Sequence, residues 1–150
     1  IFNDIKNHAQ KQLKGDVHDR IELAGSDYCT REFFEILIKD SKMDVIITAI
    51  ENPNCPIDIL EKLIKDFLEF ISFVYNPKQE IVISLLKNER IASDITFEKI
   101  LSFNFELSKF IVRNKKCSLY ILKKIYKNSN NELTIDLIKK HPNWKFSEFE

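Results

Sequence analysis

Apolar side chains recur along this chain at i, i+4, i+6 and i+7, and each such stretch meets an Asn or Ser two residues later. Val17, Ile21, Leu23 and Ala24 lead to Ser26. Met43, Ile47, Ala49 and Ile50 lead to Asn52, and Phe67, Ile71, Phe73 and Val74 lead to Asn76. Phe105, Ile111 and Val112 lead to Asn114 with Lys109 intruding, and Ile83, Leu85 and Leu86 form a partial copy before Asn88. On a helix these positions make one wide apolar stripe. After the turn the period changes: Ile59, Leu60, Leu63 and Ile64 have the i, i+1, i+4, i+5 spacing of a helix packed on neighbours. Each unit therefore reads as a short helix, an Asn-containing turn and a second helix. One such pair cannot bury its stripe alone, and stacking several pairs can.

The stretch ENPNCPIDILEKLIKD (Glu51 to Asp66) shows the repeat most clearly. Shifted by 62 residues it meets NKKCSLYILKKIYKN, with Asn52, Cys55, Ile59, Leu60, Lys62 and Lys65 matched by identical residues. Shifted back by 26 it meets SDYCTREFFEILIKD, matching Cys55, Ile64, Lys65 and Asp66. All three cysteines thus occupy one repeat position, followed by Thr30, Pro56 or Ser118, residues that start helices. The turns fall at 26, 52, 76, 88, 114 and 141, where HPNW (His141 to Trp144) mirrors NPNC. The spacing of 12 between Asn76 and Asn88 is irregular, and segment 77–88 reads either as a second helix or as the first helix of the next unit. The expectation is an all-α, right-handed α-solenoid of about five to six short helix–turn–helix repeats over 17–150. A capping helix over 1–14 precedes it, the whole of 1–150 forms one domain, and stacking is irregular near 76–93. Glu150 aligns with Glu61 in mid-helix, so the expectation is either an array cut there with an exposed apolar edge or a cap of unusual form.

The pattern Asn-Pro-x-Cys/Thr-Pro-x-x-x-Leu-x-x-Leu-x-x-Asp resembles the variant leucine-rich repeat (LRV) family. NPNCPIDILEKLIKD is the strongest match, and the resemblance covers roughly 17–145. It implies a superhelix of alternating helices, one α and one shorter or of 3₁₀ type, with no enzyme activity. The cysteine-rich segment that holds an iron–sulfur cluster in one member has no counterpart here, so no cofactor is carried over. HEAT-like and armadillo-like stacks are the neighbouring architectures.

Composition narrows the function classes. Two glycines in 150 residues disfavour Gly-rich phosphate loops and doubly wound nucleotide folds. No apolar run approaches the ~20 residues of a membrane span. No signal peptide is visible, and an odd count of three cysteines does not suggest a disulfide scaffold, so a cytoplasmic protein is expected. Equivalent positions in successive units should lie on the order of 10 Å apart, which opposes a shared cysteine metal site or a disulfide and favours cysteine as a small buried hydrophobe. His8, His18 and His141 lack metal spacing. No catalytic or metal-ligating set emerges, and an enzyme is not expected.

Charge is distributed unevenly. Residues 1–75 carry 9 basic and 14 acidic side chains, and 76–150 carry 14 and 9. Between Glu106 and Glu132 there is no acid and there are seven cations: Lys109, Arg113, Lys115, Lys116, Lys123, Lys124 and Lys127, with Tyr120 and Tyr126 among them. Such a segment reads as a solvated helix face, a nucleic-acid contact or a surface for an acidic protein. The leading functional expectation is a non-catalytic protein-interaction scaffold. A nucleic-acid-binding helical repeat protein using 109–127 is the alternative, and head-to-tail self-association of the acidic and basic halves is a third form of contact.

Overall fold

The computed structural model describes residues 1–70 and 79–144. All regular elements among them are helical. The expected turn at Asn76, the copies of the stripe at 71–74, and the aromatics Phe146 and Phe149 lie outside the described residues. The chain forms two compact units. The first holds Ile1–Asp66 and the start of a later helix through Leu85, and the second holds the chain from Leu86 together with the end, from Phe67, of the helix that begins at Ile57.

In the first unit, α1 (Phe2–Leu13) packs on α2 (Val17–Gly25) through Ala9 and Gln12, its buried residues. Asp16 caps α2 by accepting from the Asp19 N–H at 2.9 Å, and the Asp19 carboxylate accepts from the Asp16 N–H in return. α3 (Arg31–Leu37) follows the first turn and α4 (Met43–Glu51) follows α3. α5 (Ile57–Phe70) begins directly after Pro56, as the sequence predicts. The stripes meet where predicted: Leu23 and Ala24 on α2 and Ala49 and Ile50 on α4 are fully buried, and these two first helices pack directly on each other. Gly25 lets them approach, because a Cβ there would meet the Thr48 methyl at 3.3 Å.

α6 (Gln79–Lys87) settles the ambiguity of segment 77–88. It buries Ile81, Val82, Leu85 and Leu86 and ends one residue before the Asn88 turn, so it is a first helix. In the second unit a 3₁₀ turn (Glu89–Ile91) leads to α7 (Asp94–Phe103), capped by Ser93. The next first helix is reduced to a 3₁₀ turn (Phe105–Leu107) and the four-residue α8 (Ser108–Ile111). Lys109, the polar intruder in the stripe, lies in this shortened element and is exposed. α9 (Leu119–Asn128) and α10 (Glu132–Lys139) complete the unit. Ser118 caps α9 by accepting from the Ile121 N–H, whereas Thr30 holds the equivalent place before α3 without a capping bond.

The three cysteines share one environment. Cys29, Cys55 and Cys117 are free thiols and all are buried. Three residues after Asn88 the corresponding position holds Ile91, also buried at 4% exposure, so the position requires apolar bulk rather than sulfur. Cys29 and Cys117 also share a weak contact, each thiol 3.9 Å from the carbonyl of the next residue.

Candidate interaction surface

Two of the turns are held by a side-chain amide that reaches back to the preceding turn. Asn52 is buried, and its Nδ2 donates to the Ala24 and Ser26 carbonyls at 2.8 and 2.9 Å, 28 and 26 residues upstream. Asn114 is also buried, and its Nδ2 donates to the Leu86 and Asn88 carbonyls at 2.8 and 3.1 Å, again 28 and 26 residues upstream. Both side-chain oxygens accept from the N–H two residues on, at Asn54 and Lys116. Both backbone carbonyls accept from the cysteine N–H three residues on. Asn is suited to this role because one planar group supplies donors and an acceptor together. The helix-end carbonyls of Ala24 and Leu86 are satisfied in this way, while the Asn88 carbonyl also accepts from the Ile91 N–H at 3.3 Å.

His141 plays the same part with an imidazole. Its Nε2 lies 2.8 Å from the Asn114 carbonyl, and its Nδ1 lies 3.0 Å from the Asn143 N–H. A carbonyl can only accept and an amide N–H can only donate, so the neutral tautomer carrying its proton on Nε2 is required. Asn143 adds bonds to the Lys115 and Cys117 carbonyls at 3.2 and 2.9 Å. We call each of the turns at 26, 52, 88, 114 and 141 a rung.

The basic segment divides in two on this frame. Tyr120 and Lys124 are engaged within the protein: the Tyr120 hydroxyl donates to Glu98, and Lys124 Nζ lies 3.3 Å from the same carboxylate. Glu98 is held below the usual carboxylate range by the Tyr120 bond first and by Lys124 next, and Tyr120 is raised by the same contact. Lys123 is half-buried on α9, and Lys127 is exposed near its end. Lys109, Arg113, Lys115 and Lys116 are exposed, and none pairs with a described carboxylate. The Lys109 ammonium and the Arg113 guanidinium lie 5.2 and 5.9 Å from the Phe110 ring centroid, and Arg113 also donates to the Lys109 carbonyl.

Aligning the rungs adds residues that the basic run does not contain. One residue before the turn the second unit has Lys87, Arg113 and Lys140, and two residues after it has Arg90 and Lys116. All five are exposed. Across positions −1 to +2 of rungs 88, 114 and 141 there are six cations, counting Lys115, and one acid, Glu89. The same window on rungs 26 and 52 holds two acids, Asp27 and Glu51, and no cation.

The first unit carries a groove of about 480 Å³ between α3 and α5, lined by Arg31, Glu35, Asp58, Lys62 and Asp66 among others. Its charges are largely spent on one another. Arg31 makes two bonds to Asp58, at 2.7 and 2.9 Å, and lies 3.7 Å from Glu35. The Arg31 hydrogen bond holds Asp58 below the usual carboxylate range, which leaves it a poor proton acceptor near neutrality. Burial pushes the Cys29 and Cys117 thiols up to about 12, so both are protonated at neutral pH and poor nucleophiles.

The fold and this surface define an all-α protein with recurrent, amide-stitched turns. No protein-family model matches the chain, and no curated protein or solved structure matches it. Among the described residues no helix is long and apolar enough to cross a membrane.

Proposed function

We propose that the chain is a non-catalytic interaction scaffold, an α-solenoid of variant leucine-rich-repeat type whose rungs present their turn edges to a macromolecular partner. The observation that supports this most is the amide ladder. Identical offsets of 28 and 26 residues in two units are what a translational stack requires. The interior bonds fix the backbone of each turn while the residues on either side of it remain exposed and carry strong, unit-specific charge. A rigid edge with variable exposed side chains is the usual form of a helical-repeat binding surface.

The test is affinity capture on the immobilised chain, with a charge-reversed edge (Arg113→Glu with Lys116→Glu) and a reversal on second helices (Lys65→Glu with Lys99→Glu) beside the parent. A scaffold working through its turn edges loses its captured partners with the first pair of changes and keeps them with the second. Identical capture by all three chains overturns the reading.

A further inference from the structure

We infer that the turn edge of the second unit binds the phosphate backbone of double-stranded nucleic acid, without reading bases. This rests on the scaffold reading and names the partner for one edge of it.

Five cations sit at equivalent register on successive rungs: Lys87 and Arg90, Arg113 and Lys116, and Lys140. The ladder bonds tie rung 114 to rung 88 and rung 141 to rung 114. Neighbouring rungs are therefore about one helix spacing apart, roughly 8–10 Å. The result is a ridge of fixed positive charge with a regular repeat. No described carboxylate pairs with any of the five.

The helix ends themselves do not demand these residues. Cations near a helix C-terminus do complement its dipole. Yet α2 and α4, the first helices of the other unit, carry no basic residue in their last turns and end at Gly25 and Glu51. The cations are therefore a property of this edge and not of the repeat.

Regularity favours a polymer of evenly spaced anions over an acidic protein, whose carboxylates follow no fixed repeat. The occupied aromatic rings favour a duplex over a single strand. Single strands are bound by stacking bases on free aromatic faces. Here Lys109 and Arg113 lie over the Phe110 ring and Tyr126 packs against Trp144, while the exposed Tyr120 ring stands beside the Glu98 carboxylate, which repels a strand's phosphates. Glu98 and Asp94, on the flanking helix α7, discourage a polyanion from spreading onto that face.

The test is fluorescence anisotropy with the full chain, two duplexes of about 20 base pairs and unrelated sequence, and a single strand of equal length. We expect both duplexes to bind alike and more tightly than the strand, with log K falling against log salt at a slope of roughly −3 to −5. Arg113→Gln and Lys140→Gln should each weaken binding several-fold and flatten the slope by about 1, while Arg113→Lys keeps both and Lys65→Gln with Lys99→Gln changes neither. Circular dichroism confirms that the variants fold. Duplex affinity no tighter than about millimolar at roughly 50 mM salt overturns the inference. So does preference for the single strand, or a slope indifferent to Arg113 and Lys140. Where duplex binding is absent but protein capture still depends on Arg113 and Lys116, this inference falls and the scaffold reading stands.

Discussion

Asn52 in the first unit and Asn114 in the second make the same bonds at the same sequence offsets, yet Glu51 precedes one and Arg113 the other. The interior of the turn is repeated and its exterior is reversed in sign. The physical reason is the difference in cost. A buried carbonyl left without a donor is expensive, so the amide is dictated by the fold. An exposed side chain beside it contributes little to stability, so its charge is free to serve a partner.

The largest effect expected from this comparison is on the ladder itself. Asn52→Leu and Asn114→Leu each remove a buried hydrogen bond and a part-buried one to backbone carbonyls and should each cost about 2–4 kcal/mol. Urea unfolding followed by circular dichroism measures both. Near-equal losses support equivalent rungs. A variant in which one substitution is nearly silent would show that the two turns only look alike.

Much of the fold was legible in the sequence because it is written as apolar spacing. The stripes before residues 26, 52, 88 and 114, the helix starts after Thr30, Pro56 and Ser118, and the burial of the cysteines all follow from periodicity and capping. The role of Asn was not legible. Asn is a common turn residue, and its bonds reach 26 and 28 residues upstream, where no local rule applies. The candidate surface was only half legible for a related reason. A run of cations stands out along the chain, so Lys109 to Lys127 draws attention. Lys87, Arg90 and Lys140 are scattered and gain meaning only when rungs are aligned. Tyr120 and Lys124, prominent in the run, are engaged by Glu98 from 22 and 26 residues upstream.

The thiols give a second, alkaline comparison. Burial raises the Cys29 thiol in the first unit and the Cys117 thiol in the second from 9.0 to about 12. A raised folded value means that the stabilisation is complete below pH 9 and is lost as pH climbs towards 12. Each thiol should contribute a loss on the order of 1 kcal/mol per pH unit above that point. Cys29→Ala and Cys117→Ala should each remove one share of the slope in urea midpoints. A midpoint flat between pH 9 and 10 in the parent chain would show that the thiols are accessible in both units.

On the acid side the units differ in where the decline begins. In the first unit, burial works to raise Asp40, but the Arg20 bond at 2.7 Å and the Lys42 N–H outweigh it and leave Asp40 below its ordinary 3.8. Asp58 is lowered from the same value by Arg31. In the second unit Glu98 is lowered from 4.5. Lowered carboxylates stabilise fully above their unfolded values and lose that contribution as pH falls through the folded ones. Stability should therefore hold from neutrality down to about 5 and then decline, first through Glu98 and then through the two aspartates. Arg20→Met should remove the Asp40 part of the decline, which chemical denaturation between pH 5 and 3 resolves.

The smallest expected effect is the most selective for the basic surface. Tyr120→Phe removes the hydroxyl that contributes most to lowering Glu98 and leaves Lys124 in place. The Glu98 side chain should then titrate closer to 4.5, followed by the carboxyl carbon shift in NMR, with the direction upward and the size small because the site is solvated. The acid-dependent loss that Glu98 adds to the second unit should become smaller and be complete at a higher pH, since less of the lowering remains. Nucleic-acid affinity should not change, because the ring serves Glu98 and not the ridge of Lys87, Arg113 and Lys140. An unmoved Glu98 together with weakened duplex binding would place Tyr120 on the binding surface after all, and the division of the basic segment into engaged and available halves would have to be redrawn.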